Sequence, residues 1–188
     1  MMGNDLDNRT PPRARDVLRF WEAAGRERWF AKDDGFDRRF GEAFLVDHEA
    51  ARAGELGSWE ASPGGALALT LLLDQFPRNV FRGTPRMYET DARAREVASA
   101  AVARGDDRRV PDALAQFFYL PFGHSELLAD QERSVELCRR LDAQTLEHAE
   151  HHRDIVRRFG RFPHRNAILG RASSAAEREY LERGGYQG

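Results

Sequence analysis

The stretch SPGGALALTLLLDQFP, residues 62–77, decides the fold. Ser62 is a favoured N-cap residue, and Pro63 suits the first turn of a helix. The residues that follow are apolar on nearly every face, as expected of a central helix that is buried on all sides. Pro77 is predicted to end this helix, because the residue before a proline avoids the α-helical region.

Amphipathic helices are predicted on both sides of this central one. Apolar residues recur every three or four positions, and no segment alternates with the period of two that marks a strand. The predicted helices cover residues 14–25, 34–56, 62–77, 84–105 (opening at Thr84-Pro85), 110–121, 125–142, 142–160 and a last one that starts at Ser174. Ser174 and Glu177 form the S-x-x-E pattern of a capping box.

The predicted class is therefore all-α, with about eight helices in antiparallel pairs joined by short links. Two architectures stay open. One is a right-handed, tetratricopeptide-like stack. The other is an irregular bundle, because no clean helical-repeat consensus is present.

Length and composition describe one domain with a balanced charge. The 188 residues are 41% hydrophobic, and the formal net charge of −2 gives no general nucleic-acid-binding surface. Residues 1–12 are predicted to be a disordered tail and residues 13–188 a single helical domain. No apolar signal sequence is visible, and the longest apolar run, residues 66–73, is too short for a bilayer. We expect a cytoplasmic protein without a membrane partner.

Cysteine and lysine usage limits the chemistry. Cys138 is the sole cysteine, which excludes an internal disulfide and a thiolate metal cluster. Lys32 is the sole lysine among 29 basic residues, so an isolated arginine is weak support for a site. No glycine-rich phosphate loop follows a strand, which disfavours nucleotide binding of the P-loop or Rossmann type. No cofactor is predicted.

One short motif occurs twice, as QFPRNVFRG (75–83) and RFPHRNAILG (161–170). Phe-Pro begins both copies, the Arg, Asn and Gly positions align with one constant offset, and His164 is the insertion. Arginine offers a planar hydrogen-bonding fork, and asparagine tolerates turns. The copies are either ligand-binding loops or structural corners in which arginine caps helix carbonyls.

The polar residues around the two motifs predict a site for an anionic metabolite. The candidates for proton transfer are His124, Glu126, His164 and Asp74. The substrate-binding candidates are Arg78, Asn79, Arg165, Asn166, Arg161, Gln75, His152 and Gln131. Both motifs and the His-Ser-Glu segment are predicted to converge at one end of the helical stack.

Two helical spacings add hypotheses. Glu126 and Asp130 would share one face if a helix began at Ser125. His148 and His152 lie four residues apart and could bind a metal with one of those carboxylates. No third ligand is identifiable, so a solvated histidine-rich face is the favoured interpretation and no metal is predicted.

The chain resembles a family of bacterial proteins known as domain of unknown function 924. The resemblance runs from Val17 to about Leu181. It rests chiefly on VLRFW (17–21), GELGSW (54–59), LLDQFPRNVFRGT (72–84), FFYLPFGHSE (117–126), DQERSVEL (130–137) and RRFGRFPHRNAILGR (157–171). It implies a fold similar to tetratricopeptide-like helical stacks and brings no established reaction. The family motifs contain the candidate residues but do not assign their roles.

Three functions fit these observations. The first is an enzyme or binder of a small carboxylate or phosphate metabolite, with Arg78 and Arg165 clamping the anion. The second is an interaction module that binds a peptide in a concave groove. The third is a structural network that pins the helices. A closed pocket would favour the first, an open groove the second, and complete internal pairing the third.

An aromatic patch near the start of the chain also has two interpretations. Its members are Phe20, Trp21, Trp29 and Phe30. They form either part of the core or the contact surface of a homodimer.

Overall fold

The protein is described by a computed structural model that covers residues 9–188. Its α-helices are α1 Pro12–Ala24, α2 Arg26–Trp29, α3 Asp34–Arg52, α4 Pro63–Thr70, α5 Phe76–Val80, α6 Asp91–Ala103, α7 Asp112–Gly123, α8 Leu128–Cys138, α9 Ala143–Phe159 and α10 Ala175–Glu182. Residues 9–188 contain no strand. The predicted all-α class is confirmed, whereas the tetratricopeptide-like arrangement stays a prediction.

The chain divides into two compact units, which are described separately. The first unit extends to Arg82 and resumes at Arg86–Pro121, and the second comprises Gly83–Pro85 and Phe122–Gly188. The single domain over residues 13–188 stays a prediction. Of the predicted tail, residues 1–8 lie outside the described part of the chain, while Thr10 is buried and α1 begins at Pro12.

The central helix begins as the sequence predicts. The Ser62 hydroxyl accepts a hydrogen bond from the Gly65 N–H at 3.1 Å, and Pro63 occupies the first turn. Every residue of α4 is buried, and α4 packs against α1 and α6. A Cβ atom on Gly65 would lie 2.2 Å from the carbonyl oxygen of Trp59, so this tight approach requires glycine.

The predicted end of the central helix at Pro77 is wrong. Leu71–Gln75 forms a π-helical segment in which Phe76 N–H donates to the carbonyl of Leu71, and the chain continues directly into α5. Pro77 lies in the first turn of α5. Because a π turn is wider than an α turn, it relieves the clash with the preceding carbonyls that normally stops a helix at proline.

Two side chains complete the hydrogen bonding of the π-helical segment. Pro77 has no N–H, so Leu73 lacks its α-helical donor, while Leu72 loses the N–H of Phe76 to the π bond. The Thr90 hydroxyl donates to the Leu73 carbonyl at 2.5 Å, and Nδ1 of His48 lies 2.9 Å from the Leu72 carbonyl. Because a carbonyl only accepts, Nδ1 of His48 carries the hydrogen.

The predicted aromatic patch contributes to the core of the first unit. The ring of Trp21 stacks on Trp29 at 6.3 Å and meets Phe117 edge-on at 5.3 Å. Trp21 and Trp29 are buried, whereas 57% of Phe30 is exposed. These contacts favour the core interpretation for the two tryptophans, and the homodimer stays a prediction.

The second unit is built around the pair α8 and α9. Arg157 Nη2 of α9 donates to Glu132 Oε1 of α8 at 2.5 Å. One buried core cluster of this unit consists of Ile155, Val156 and Phe162, with Phe159, Tyr180 and Tyr186 packed against it. The predicted capping box of Ser174 and Glu177 is confirmed at the start of α10.

Two predicted helix starts are wrong. The helix expected from Thr84-Pro85 begins at Asp91, after a 3-10 turn at Pro85–Tyr88. The helix expected from Ser125 begins at Leu128 because the Ser125 hydroxyl donates to Asp130 Oδ2 and accepts from Leu127 N–H, closing a turn. Glu126 therefore lies before α8 and does not share a helical face with Asp130.

Candidate functional site

The first Phe-Pro-Arg-Asn motif lies on α5, and its arginine faces carboxylates. Nη1 and Nη2 of Arg78 donate to the two oxygens of Asp91 at 2.8 and 3.0 Å. Nη1 also donates to the Asp74 carbonyl at 2.8 Å and lies 3.2 Å from Asp74 Oδ1. Burial alone would lower the pKa of Arg78, but the charges of Asp74 and Asp91 outweigh it and raise that pKa.

The other predicted residues of this motif belong to the same polar network. Asp74 is fully buried, and its Oδ2 accepts from Gln75 Nε2 at 2.6 Å. Asn79 Nδ2 donates to Asp37 Oδ1 of α3 at 2.7 Å. The four site residues predicted in the first unit therefore all have hydrogen-bond partners inside that unit.

The second motif differs from the first in its backbone and in its partners. Pro163–Arg165 forms a 3-10 turn, whereas the first motif is α-helical. The aligned glycines do agree: Gly83 and Gly170 have φ angles of 77° and 64°, in the left-handed region that favours glycine. The repeated glycine is thus explained by the backbone conformation at the end of each motif.

Glu126 holds the second motif to the residues that follow it. Arg171 Nη1 and Nη2 donate to its two oxygens at 2.6 and 2.9 Å, and Phe162 N–H donates at 2.8 Å. Burial would raise the pKa of Glu126, but these bonds and the Arg171 charge hold it below its usual value. Arg171 Nε also donates to Asn166 Oδ1 at 3.0 Å.

Arg161 has a comparable role at the start of α10. Its Nε and Nη2 donate to the two oxygens of Glu177 at 2.6 and 2.9 Å. Glu177 is buried and also completes the capping box with Ser174. The hydrogen bond from Arg161 is the main cause of a Glu177 pKa of about 2.

Three predicted histidines come together in the second unit around two aromatic rings. We define the histidine cluster as His124, His152 and His164 with Phe162 and Tyr186. The ring of His152 lies 6.4 Å from His124, 5.4 Å from Phe162 and 4.8 Å from Tyr186. His164 lies 5.5 Å from Phe162 and 5.0 Å from Tyr186.

Arg165 brings a positive charge to the histidine cluster. Its guanidinium carbon lies 4.6 Å from the centre of the Phe162 ring, and Nη2 donates to the His124 carbonyl at 2.9 Å. Only 7% of Arg165 is exposed. Beside it, Nδ1 of His164 is buried and has no hydrogen-bond partner within residues 9–188.

The surroundings keep two of these histidines neutral. Burial, followed by the charge of His124, lowers the pKa of His152 to about 3. Burial, followed by the charge of Arg165, lowers the pKa of His164 to about 4. At pH 7 both imidazoles are therefore uncharged, and each offers one donor and one acceptor nitrogen.

Gln131 lies beneath the segment that carries His124. It is fully buried, and its Nε2 donates to the carbonyls of Gly123 and Ser125 at 2.7 and 2.6 Å. This clamp fixes the backbone on both sides of His124.

The structure groups the predicted site residues within each unit. Asp74, Gln75, Arg78 and Asn79 lie in the first unit, and His124, Glu126, Gln131, His152, Arg161, His164, Arg165 and Asn166 lie in the second. Convergence of both motifs at one site stays a prediction.

Sequence reasoning missed several partners of these residues: Asp37, His48, Thr90, Asp91, Arg171, Glu177 (as an ion-pair partner) and Tyr186. Arg171 directly follows the motif glycine, which was a usable signal. No local pattern pointed to His48 or Tyr186.

Other kinds of site receive no support from the described residues. No three His, Cys, Asp or Glu side chains in residues 9–188 are placed to hold a metal ion, and His148 is exposed. Surface depressions lie around Val46 and around Tyr180, and neither of these two is lined by a predicted site residue. None of the helices within the same residues has the length and apolarity needed to span a membrane.

Comparisons with known proteins agree with the sequence motifs. A family model described as bacterial protein of unknown function (DUF924) matches residues 17–185. A solved protein of unknown function from Agrobacterium tumefaciens is 52% identical, with a TM-score of 0.89 over 91% of this chain and 97% of that chain. No curated protein matches.

Proposed function

The chain belongs to the DUF924 family of bacterial proteins, whose function is unknown, and we propose that it binds a small anion at the histidine cluster. The ligand is a carboxylate or phosphate metabolite, and Arg165, His164 and His124 are the residues that hold it. The observation that carries the proposal is the buried Nδ1 of His164. It has no hydrogen-bond partner within residues 9–188 and lies next to a buried arginine.

The charges around the histidine cluster favour an anion over a cation. Glu126, which contacts the second motif through Phe162 N–H, and Glu177, which contacts it through Arg161, are each held by a bidentate arginine contact. After burial, the positive charge of Arg165 is the next cause of the lowered pKa of His164, and the Glu126 charge opposes it more weakly. An anionic oxygen would be attracted to Arg165 and would accept an N–H from a neutral imidazole.

Neutral imidazoles also suit proton transfer. His152 and His164 are uncharged at pH 7 and could accept a proton from a bound ligand or pass one to it. An enzymatic role would use His164 or His124 in this way. Glu126 suits positioning better, because its oxygens are already engaged by the Phe162 N–H and by Arg171.

For the first motif a structural role has the better support. The fork of Arg78 is bound bidentately by Asp91, and Asp74 is fully buried beside it. The two copies of the motif are thus proposed to differ: the first pins helices, and the second borders a ligand site.

Thermal shift on the full chain tests the proposal. The panel contains inorganic phosphate, acetate and short acidic peptides, and the variants are Arg165→Gln and the control Arg158→Gln. Arg165→Gln keeps a donor for the His124 carbonyl but removes the charge, whereas Arg158 is an exposed arginine of the same unit. Phosphate or acetate should raise the Tm of the wild type and of Arg158→Gln. At 100 Kd the stabilisation is about 2.7 kcal/mol.

The same screen can overturn the proposal. An equal shift in Arg165→Gln would place the anion elsewhere, and stabilisation by peptides alone would favour the interaction module. Calorimetry in buffers of different ionisation enthalpy adds a second readout. A bound anion favours protonated imidazole, so binding should take up protons below pH 7. Binding without proton uptake would mean that the imidazoles stay neutral in the complex and take no part in proton transfer.

A further inference from the structure

We propose that residues 184–188 form a strap over the histidine cluster, and that Tyr186 must swing away before a ligand can reach His164. The inference rests on the proposed ligand site in the second unit. The strap follows α10 and begins at Gly184, whose φ of 81° lies in the left-handed region.

Tyr186 is the residue of the strap that closes the histidine cluster. Its ring lies 4.8 Å from His152, 5.0 Å from His164, 5.8 Å from His151 and 6.4 Å from Phe162. This side chain thus lies beside three rings of the histidine cluster and beside the exposed His151.

The backbone of the strap covers the other edge of His164. A Cβ atom built on Gly188 would lie 3.0 Å from Cδ2 and 3.2 Å from Nε2 of His164. Nδ1 of His164 is buried and Gly188 lies beside Nε2, so the strap narrows the approach of a ligand to this half-buried ring.

The anchors of the strap lie at the end of α10. Gly185 N–H donates to the Tyr180 carbonyl at 2.9 Å, and Tyr186 N–H donates to the Tyr180 hydroxyl at 2.9 Å. Gln187 Nε2 donates to the Leu181 carbonyl of α10 at 3.3 Å and, within the strap, to the Gly185 carbonyl at 2.9 Å. The hinge of the strap is placed at Gly184 and Gly185, because glycine tolerates large backbone changes.

Histidine labelling tests this inference without any ligand. Diethyl pyrocarbonate modifies unprotonated, accessible imidazoles, and peptide mass spectrometry gives a rate for each histidine of the full chain at pH 7. In Tyr186→Ala the rates at His152 and His164 should rise several-fold. In Tyr186→Phe, which keeps the ring, they should match the wild type. His148, exposed on α9, is the internal reference whose rate stays constant.

A milder variant covers the case in which Tyr186→Ala fails to fold. Tyr180→Phe removes only the hydroxyl that accepts from Tyr186 N–H and should raise the two rates by a smaller factor. Unchanged rates at His152 and His164 in a folded Tyr186→Ala, or in Tyr180→Phe if the former is unfolded, would overturn the strap.

The outcome separates the strap from the ligand site. Faster labelling combined with a flat phosphate screen would support the strap and reject the anion site. Unchanged labelling rates together with phosphate binding would reject the strap and support the anion site. If both proposals hold, Tyr186→Ala should bind phosphate with a higher association rate than the wild type.

Discussion

Single histidines differ sharply in their surroundings, although five of the six lie within residues 124–164. His148 and His151 are exposed on α9, while His152, one residue further, packs on Phe162 and Tyr186. The four-residue spacing of His148 and His152 therefore crosses the edge of the helix's inner face. Sequence spacing cannot reveal where this buried face ends, because its limit is set by the aromatic rings of other segments that pack against α9.

We expect the stability of the protein to fall as the pH drops from 6.5 to 4.5. His48, His152 and His164 have pKa values below the ordinary 6.5, chiefly through burial, so the unfolded chain binds more protons in this range. The contribution is complete above pH 6.5 and is lost on acidification. Below pH 4.5 protonation of carboxylates such as Glu177 adds to the loss.

Thermal unfolding at stepwise pH measures this effect. His152→Gln should flatten the decline of Tm between pH 6.5 and 4.5, whereas the exposed control His148→Gln should leave it unchanged. Equal slopes for the two variants would mean that His152 is not held neutral by the fold.

At the scale of elements, the central helix shows what a sequence can and cannot predict. Ser62, Pro63 and the apolar run identified its start and its burial, because those signals are local. The π-helical segment was missed. A π turn shifts the spacing of apolar and polar residues along a helix, and a run that is apolar on every face has no such spacing. Its carbonyl partners His48 and Thr90 are 24 and 17 residues away along the chain, beyond any local pattern.

Replacing Thr90 should cost more than replacing a threonine inside regular helix. Thr90→Val leaves the buried Leu73 carbonyl without its hydroxyl donor, with an expected loss of about 1–3 kcal/mol. The matched control is Thr70→Val. The Thr70 hydroxyl donates to the Ala66 carbonyl, which keeps its backbone hydrogen bond within α4 when the hydroxyl is removed. Urea denaturation measures both losses. Similar values would argue that the Leu73 carbonyl does not depend on Thr90.

The two motifs should respond oppositely to loss of their arginines. Arg78→Ala leaves Asp74 and Asp91 without their shared cation, and removing one partner of a buried ion pair costs about 3–5 kcal/mol. Arg165→Gln should lose phosphate binding with a smaller stability change. Urea denaturation and phosphate thermal shift on both variants test the division. A destabilised Arg165→Gln beside a stable Arg78→Ala would reverse the assignment.

At the scale of the whole molecule, class and family followed from the sequence, but the grouping of site residues did not. Helical periodicity sufficed for the all-α class, and long motifs sufficed for the DUF924 match. Glu126 contacts Arg171, and Arg161 contacts Glu177, because the chain after residue 160 folds back on itself. The spacing of apolar residues does not predict this change of direction.

The predicted single domain implies one cooperative unfolding transition. Trp21, Trp29 and Trp59 are all buried in the first unit, so tryptophan fluorescence follows that unit alone. Far-UV circular dichroism follows helices of both units. The two urea transitions should coincide, because small single domains unfold in an all-or-none manner. Two separated midpoints would contradict the single domain.

The π-helical segment has a consequence for variation in chain length. A π turn holds one residue more than an α turn, so Leu71–Gln75 can be regarded as an α-helix that has accepted a single-residue insertion. Deleting one leucine there would rotate the side chains of α4 about the helix axis by about 100° relative to those of α5. Relatives that lack this residue would have to aim Asp74 and Arg78 differently, so a length difference at this point would mark a change in the polar network.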